Sequence, residues 1–227
     1  MVRRLVQLYA GLALYGASLA LMVRADLGLD PWDVFHQGVA DRTGLSFGTV
    51  VTLVGALVLL LWLPLRQRPG LGTISNILVL GVAADATLLV LPEQRVLAVR
   101  VGLLVAGVLL NGVATACYIG ARFGPGPRDG LMTGWAARSG RSIRLVRTVI
   151  ECGVLVVGFL LGGSVGVATV VYALAIGPLA QLFLPVFAVP APEPAAAEQA
   201  AAEQAAREKA GPEARDRLPS VGGTTEN

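Results

Sequence analysis

Gly28-Leu29-Asp30-Pro31-Trp32-Asp33 reads Gly-x-x-Pro-x-Asp, and the pattern returns 96 residues later as Gly124-Pro125-Gly126-Pro127-Arg128-Asp129. Extended outward at that offset, residues 14–91 lie on 110–187 without a gap, with 24 identities in 78 positions. They include Gly16/Gly112, Ala20/Ala116, Gly38/Gly134, Arg42/Arg138, Gly44/Gly140, Thr52/Thr148, Gly70/Gly166 and Gly81/Gly177. A repeat this long means two copies of one structural unit. Shared apolar composition does not account for it, because Gly, Pro, Asp, Arg and Ser match through the polar stretch.

The material around the motif is membrane sequence. Of 227 residues, 55% are apolar, and mean hydropathy is +0.69. Apolar runs of roughly 17–25 residues can each cross a bilayer. The first, Leu5–Val23, follows Arg3 and Arg4. It resembles a signal peptide with a cleavage site at Ser18-Leu19-Ala20, but it is longer than a signal core and has a repeat partner at about 99–119. We read it as the first span. Phe47–Leu65 and Gly72–Leu91 complete the first copy, and spans at about 145–163 and 166–187 complete the second. Between first and second span each copy has a short polar helix, Pro31–Thr43 or Pro127–Ser139. Asp30 suits the N-cap, Pro31 the first helical position, and Gly44 and Gly140 the stop. Thirteen residues rise roughly 20 Å, short of the roughly 30 Å hydrocarbon core, so these are half-helices.

Three spans per copy is an odd number, so the second copy enters the membrane inverted. With the N-terminus inside, ten arginines (Arg3, Arg4, Arg66, Arg68, Arg122, Arg128, Arg138, Arg141, Arg144, Arg147) lie on inner segments and four (Arg24, Arg42, Arg95, Arg100) on outer ones. That follows the positive-inside rule. The fold expected is all-α: six spans in two inverted three-span repeats, residues 1–92 and 98–187, in the plasma membrane with both termini cytoplasmic. Residues 188–227 differ. Pro190, Pro192 and Pro194 precede an Ala/Glu/Gln run, and the segment carries 4 basic and 7 acidic residues. It reads as a disordered or partly helical cytoplasmic tail, with room for a protein-partner or homo-oligomer role.

Inverted repeats with Gly/Pro-interrupted helices at matching places mark the sites of secondary transporters. Gly28, Pro31, Gly124 and Pro127 define those breaks. A helix start exposes N–H groups and a positive dipole end within the membrane. Asp33 and Asp129 occupy the third position of each half-helix, where they either interact with their own helix start or bind a substrate or proton. Glu151, against Gly55 in the other copy, is an intramembrane carboxylate and a site candidate; one turn from Arg147, it can equally form an ion pair. Asp85 and its counterpart Gln181 are candidates for a cavity lining. Asp26, Asp30, Arg24 and Arg122 read as interfacial charges. His36 reads as solvated or interfacial, with proton handling as the alternative. Gly16/Ala20 and Gly112/Ala116 permit close packing of the two first spans across the pseudo-twofold axis.

Other classes find little support. Cys117 and Cys152 sit in apolar runs with one histidine in the chain, so neither a disulfide framework nor a zinc site is expected. No cofactor is implied, and the basic excess reads as topology rather than nucleic-acid binding. GxSxG, HExxH, Walker and EF-hand patterns are absent, and Gly124–Gly130 follows no strand as a dinucleotide loop would. An enzyme is not expected. The lipid bilayer is the expected environment and a small solute the expected ligand. A membrane regulator acting through protein partners is the competing reading.

Leu27-Gly28-Leu29-Asp30-Pro31-Trp32-Asp33-Val34, with Ile176-Gly177-Pro178-Leu179 and Leu184-Pro185, resembles the YczE/YyaS/YitT family of bacterial integral membrane proteins. The likeness covers about residues 5–187. It implies a multi-pass cell-membrane protein with five or six spans and names no substrate. Arg128 replaces the motif's Trp in the second copy, so aromatic packing is not carried over there.

Overall fold

The computed structural model describes residues 1–189; the expected tail lies, from residue 190 on, outside the described residues. The described residues are helical without strands. In order they form α1 (Val2–Ala25), α2 (Pro31–Thr43), α3 (Phe47–Leu60), α4 (Trp62–Leu65), α5 (Leu71–Val90), α6 (Leu97–Gly120), α7 (Pro127–Ser139), α8 (Ile143–Leu160) and α9 (Val167–Phe187). The short helices α2 and α7 begin and end at the residues their Pro and Gly signals mark, and both stop at a left-handed glycine, Gly44 or Gly140. Pro64 explains the break between α3 and α4, since it removes a donor and crowds the preceding turn.

Among the described residues, five segments are long and apolar enough to cross a membrane: α1, α3 with α4, α5, α6 and α9. The expected fifth span, at about 145–163, is α8 and does not join them, because Arg144, Arg147 and Glu151 interrupt its 18 residues. The outward faces carry large apolar side chains, among them Leu57, Val82, Leu89, Phe159 and Leu174, all more than half exposed. Such a continuous apolar surface suits lipid rather than water.

α1 and α6 form the centre and run antiparallel. Arg4, at the start of α1, donates to the carbonyls of Ala121 and Arg122 at the end of α6. Arg100, at the start of α6, donates to those of Ala25 and Asp26 at the end of α1. Each arginine satisfies the open carbonyls of the opposite helix and complements its dipole. The same exchange recurs elsewhere. The Gly72 N–H donates to Phe123 O at 2.9 Å, and the Ala168 N–H to Leu27 O at 3.0 Å. Arg42 donates to the Leu160 and Leu161 carbonyls, and Arg138 to that of Pro64.

The packing expected of Gly16/Ala20 against Gly112/Ala116 is corrected at its two glycines, which serve other helices. A methyl added to Gly16 would strike Leu80 and Ala83 of α5, and one added to Gly112 would strike Leu179 of α9. Ala20 is fully buried one turn beyond Gly16, on the stripe that continues to Arg24, whose Nη2 donates to Leu88 O of α5. Ala116, 1% exposed, lies one turn beyond Gly112 on the stripe that continues to Gly120, where an added methyl would strike Phe187 of α9. Gly16 and Gly112 thus bring α5 and α9 close to their own copies' first helices. The reason is angular: a small residue fixes how near a neighbour comes, while the face it lies on selects the neighbour. The α1–α6 approach relies instead on Gly11, against Cys117 and Tyr118, and Gly107, against Ser18 and Met22.

One pairing is not repeated. α3 packs along α5, with Gly48 backbone against Gly81 backbone and the Thr52 hydroxyl donating to Ile77 O at 3.1 Å. α8 makes no comparable packing on α9. Arg144 stands where α3 has Gly48, and a methyl on Gly177 would meet nothing within 4 Å. Pro178, inside α9, removes a further helix donor at this level. The gap between α8 and α9 opens the interior.

Candidate functional site

Gly28 and Gly124 hold φ of 108° and 109°, which a side chain would strain. They turn the chain back from the ends of α1 and α6 into the bundle, so α2 and α7 start inside it. The two starts differ chemically. α2 is capped by its own Asp30, whose Oδ1 accepts from the Asp33 N–H at 2.8 Å. α7 begins after Gly126, and no side chain caps it.

Between these starts lies a cavity of about 200 Å³. Arg128 of α7 enters it. Its Nη1 is 3.8 Å from Asp30 Oδ1, its Nη2 donates to the Tyr15 hydroxyl at 3.3 Å, and the guanidinium lies 5.7 Å from the Trp32 ring centre. Trp32 and Arg128 are the same position of the repeat, set face to face. Asp129 Oδ2 accepts from the Tyr118 hydroxyl at 2.7 Å, and Tyr118 packs edge-on against Tyr15. A buried chain of hydrogen bonds backs the wall. The Tyr172 hydroxyl donates to Asn111 Oδ1 at 3.0 Å, Asn111 Nδ2 to Ser18 Oγ at 2.8 Å, and the Ser18 hydroxyl to Tyr15 O at 2.6 Å. It ties α9, α6 and α1 together and fixes the Tyr172 side chain.

The far side of the cavity is the α8–α9 gap. Arg147 and Glu151, paired at 2.9 Å, line it from α8, and Ile176, Gly177 and Ala180 from α9. A second hollow of about 380 Å³ shares Ile119 and Asp129 and reaches Arg122, at the end of the bundle that carries Arg4. The second hollow thus flanks the cavity on its Met1 side. At the other end, the Ser46 hydroxyl and the Gly48 N–H donate to the Asp85 carboxylate at 2.5 and 2.7 Å, pinning the start of α3 to α5.

Of the residues singled out from sequence, Asp129, Arg147 and Glu151 line the cavity, as do Pro31 and Pro127. Gly28 and Gly124 make the turns that lead to it. Asp33 is fully buried one step behind, where its Oδ1 pairs with His36 Nδ1 at 3.1 Å and its Oδ2 has no partner among the described residues. Asp85 is remote from the cavity, as the cap just described, and Gln181 is exposed. Two expectations are corrected. Asp30 is no interfacial charge: it is 2% exposed, lines the cavity, and its Oδ2 is unpartnered. His36 is not solvated but 3% exposed, wedged among Trp32, Phe35 and Phe47.

Arg128, Tyr15, Tyr118, Tyr172 and Asn76, which line the cavity, and Asn111 behind them were not among the site residues read from sequence, where Arg128 counted only as an inner arginine and as the motif's replaced Trp. A signal existed for four of them. Tyr15 aligns with Asn111 and Asn76 with Tyr172, so the repeat keeps a polar group at two mid-span positions in both copies. Among the described residues no cluster of His, Cys, Asp and Glu could hold a metal ion.

Residues 2–185 match the model of a family of unknown function, DUF6198. The chain is 41% identical over 177 residues to an uncharacterized protein of Haemophilus influenzae, covering 78% of this chain and 81% of that one. It is 31% identical over 180 residues to the uncharacterized membrane protein YczE of Bacillus subtilis, with 78% and 83% covered. A third relative is YyaS of the same organism, 26% identical over 180 residues, with 78% and 90% covered. No solved structure matches the chain. The half-helix motif, the helical bundle and these relatives agree: the chain belongs to the DUF6198 family, is related to YczE and YyaS, and is a membrane protein.

Proposed function

We propose that the protein is a secondary transporter of a small solute, built from two inverted repeats that alternate about the cavity between the starts of α2 and α7. The observation that carries this is the cavity itself. It places charges of both signs deep in an apolar bundle, at the two helix breaks, with a second hollow beside it toward the Met1 end. Irregular backbone at such depth is tolerated where it lines a site.

The exchanged contacts support the inverted reading. Arg4 and Arg100 cap each other's antiparallel helices, as residues i and i+96 do under an internal twofold. The arginine excess, eight against four once the cavity residues Arg128 and Arg147 are set aside, supports a Met1 end on the cytoplasmic side of the plasma membrane. The unequal pairs α3–α5 and α8–α9 then become the two gates. In this conformation the first is shut by Gly48, Gly81 and Asp85, and the second is open. Exchanging the two arrangements turns the same cavity to the other side without rebuilding either half.

The test is a disulfide across the open gate. In a chain with Cys117 and Cys152 replaced, Arg144→Cys and Gly177→Cys stand where Gly48 and Gly81 touch in the closed pair. Alternation brings these sulfurs within bonding range, which needs Cα atoms about 4.4–6.8 Å apart, and oxidation then forms the bond. Thiols that stay free under oxidation contradict a moving gate and favour a membrane protein that acts in one conformation, such as a regulator.

A further inference from the structure

We propose that the cavity binds a small zwitterion with an ammonium and a carboxylate on the same carbon, an α-amino acid in chemical class. This rests on reading the cavity as a solute site. Its basis is the Arg128–Asp30 pair, which is unsaturated on both sides. At 3.8 Å it lies at the outer limit of an ion pair. Arg128 makes one long bond, to Tyr15, and presents the rest of its fork to the cavity, where 22% of its side chain is exposed. Asp30 spends Oδ1 on the start of α2 and leaves a buried Oδ2 unpartnered. The uncapped start of α7, which carries Arg128, adds N–H groups to the basic side.

Charge balance selects among ligands. A lone anion on Arg128 leaves Asp30 with less compensation, and a lone cation on Asp30 does the same to Arg128. A zwitterion supplies both partners at once and brings no net charge into a low-dielectric site. Its opposite charges are separated by about the distance of an ion pair, so it can replace the loose Arg128–Asp30 contact with two close ones. The volume suits it too. About 200 Å³ is the liquid volume of roughly seven waters, room for a small organic solute.

The experiment is a thermal-shift titration of the purified full chain with the proteinogenic amino acids, one at a time. Any that stabilises is compared with its N-acetyl and amide derivatives, and with acetate and ethylammonium. The proposal expects at least one amino acid to raise the melting temperature by several degrees. Blocking either the amine or the carboxylate should abolish the shift, and Asp30→Asn and Arg128→Lys should each lose it. The derivatives probe the wild-type protein, so the result does not depend on a variant folding. Equal stabilisation by acetate or by ethylammonium overturns the zwitterion in favour of a single-sign ligand, and no shift with any amino acid overturns it outright. The Arg144→Cys/Gly177→Cys disulfide reports separately: if it forms while amino acids fail to bind, the ligand class is wrong and the transport reading stands.

Discussion

Trp32 and Arg128 hold the same place in the two copies, yet one is an aromatic face and the other the cation above it. Asp30 and Gly126 likewise share a place, and only one of them caps its helix. Near-identical backbone thus carries opposite chemistry on the two sides of one cavity. Single residues around it have measurable weights. Trp62 Nε1 donates to Pro127 O at 3.0 Å and its ring closes over Gly130, so it fixes the start of α7 from α4. Trp62→Phe removes that bond from a buried carbonyl and should cost about 1–3 kcal/mol, seen as a lower melting temperature. Asp85→Asn replaces a charged cap at the start of α3 by a neutral one. It should cost about 0.5–1 kcal/mol and ease opening of the α3–α5 gate. Faster labelling of a cysteine placed at Thr52 would register that opening; unchanged labelling would mean Asp85 is not the pin.

At the scale of elements, glycine decides which helices touch. Gly81 lies so close to Gly48 that a side chain there must push α3 away, whereas Gly177 has open space. Gly81→Val should therefore destabilise the protein by about 1–3 kcal/mol, the range for overpacking. Gly177→Val should leave its melting temperature nearly unchanged and yet keep the α8–α9 gate from closing. The two variants separate stability from movement, and similar destabilisation by both would argue against two unequal gates. This is also where sequence proved partly legible. Half-helix limits were readable because Pro31, Gly44, Pro127 and Gly140 act on their immediate neighbours. The Gly16/Ala20 and Gly112/Ala116 spacing announced a close approach but not to which helix, because a small residue specifies distance and not partner. Asp30 looked interfacial because it lies in the short polar stretch between two spans; only the turn at Gly28, which folds the segment inward, shows that it is buried.

For the whole molecule, repetition at 96 residues is visible as letters, while the exchange of contacts between copies exists only in three dimensions. Arg4 and Arg100 are conspicuous in sequence merely as charges at helix starts; that each caps the other copy's helix needs the antiparallel α1–α6 pair. Removing either by Arg4→Ala or Arg100→Ala should cost about 1–2 kcal/mol, with similar losses if the two sites are equivalent. Equal losses would tie stability to the internal twofold, and a loss at one site alone would not. Transport through this bundle requires that one cavity face each side of the membrane in turn. A single cysteine at Thr115, a cavity-lining residue, reports on this in a chain lacking Cys117 and Cys152 and reconstituted in sealed vesicles. A membrane-impermeant maleimide is then added to one side or the other. Labelling from both sides, faster from the side of the Met1 end, is the expected outcome. Labelling from that side alone, with the opposite side silent under every condition tried, would rule alternation out.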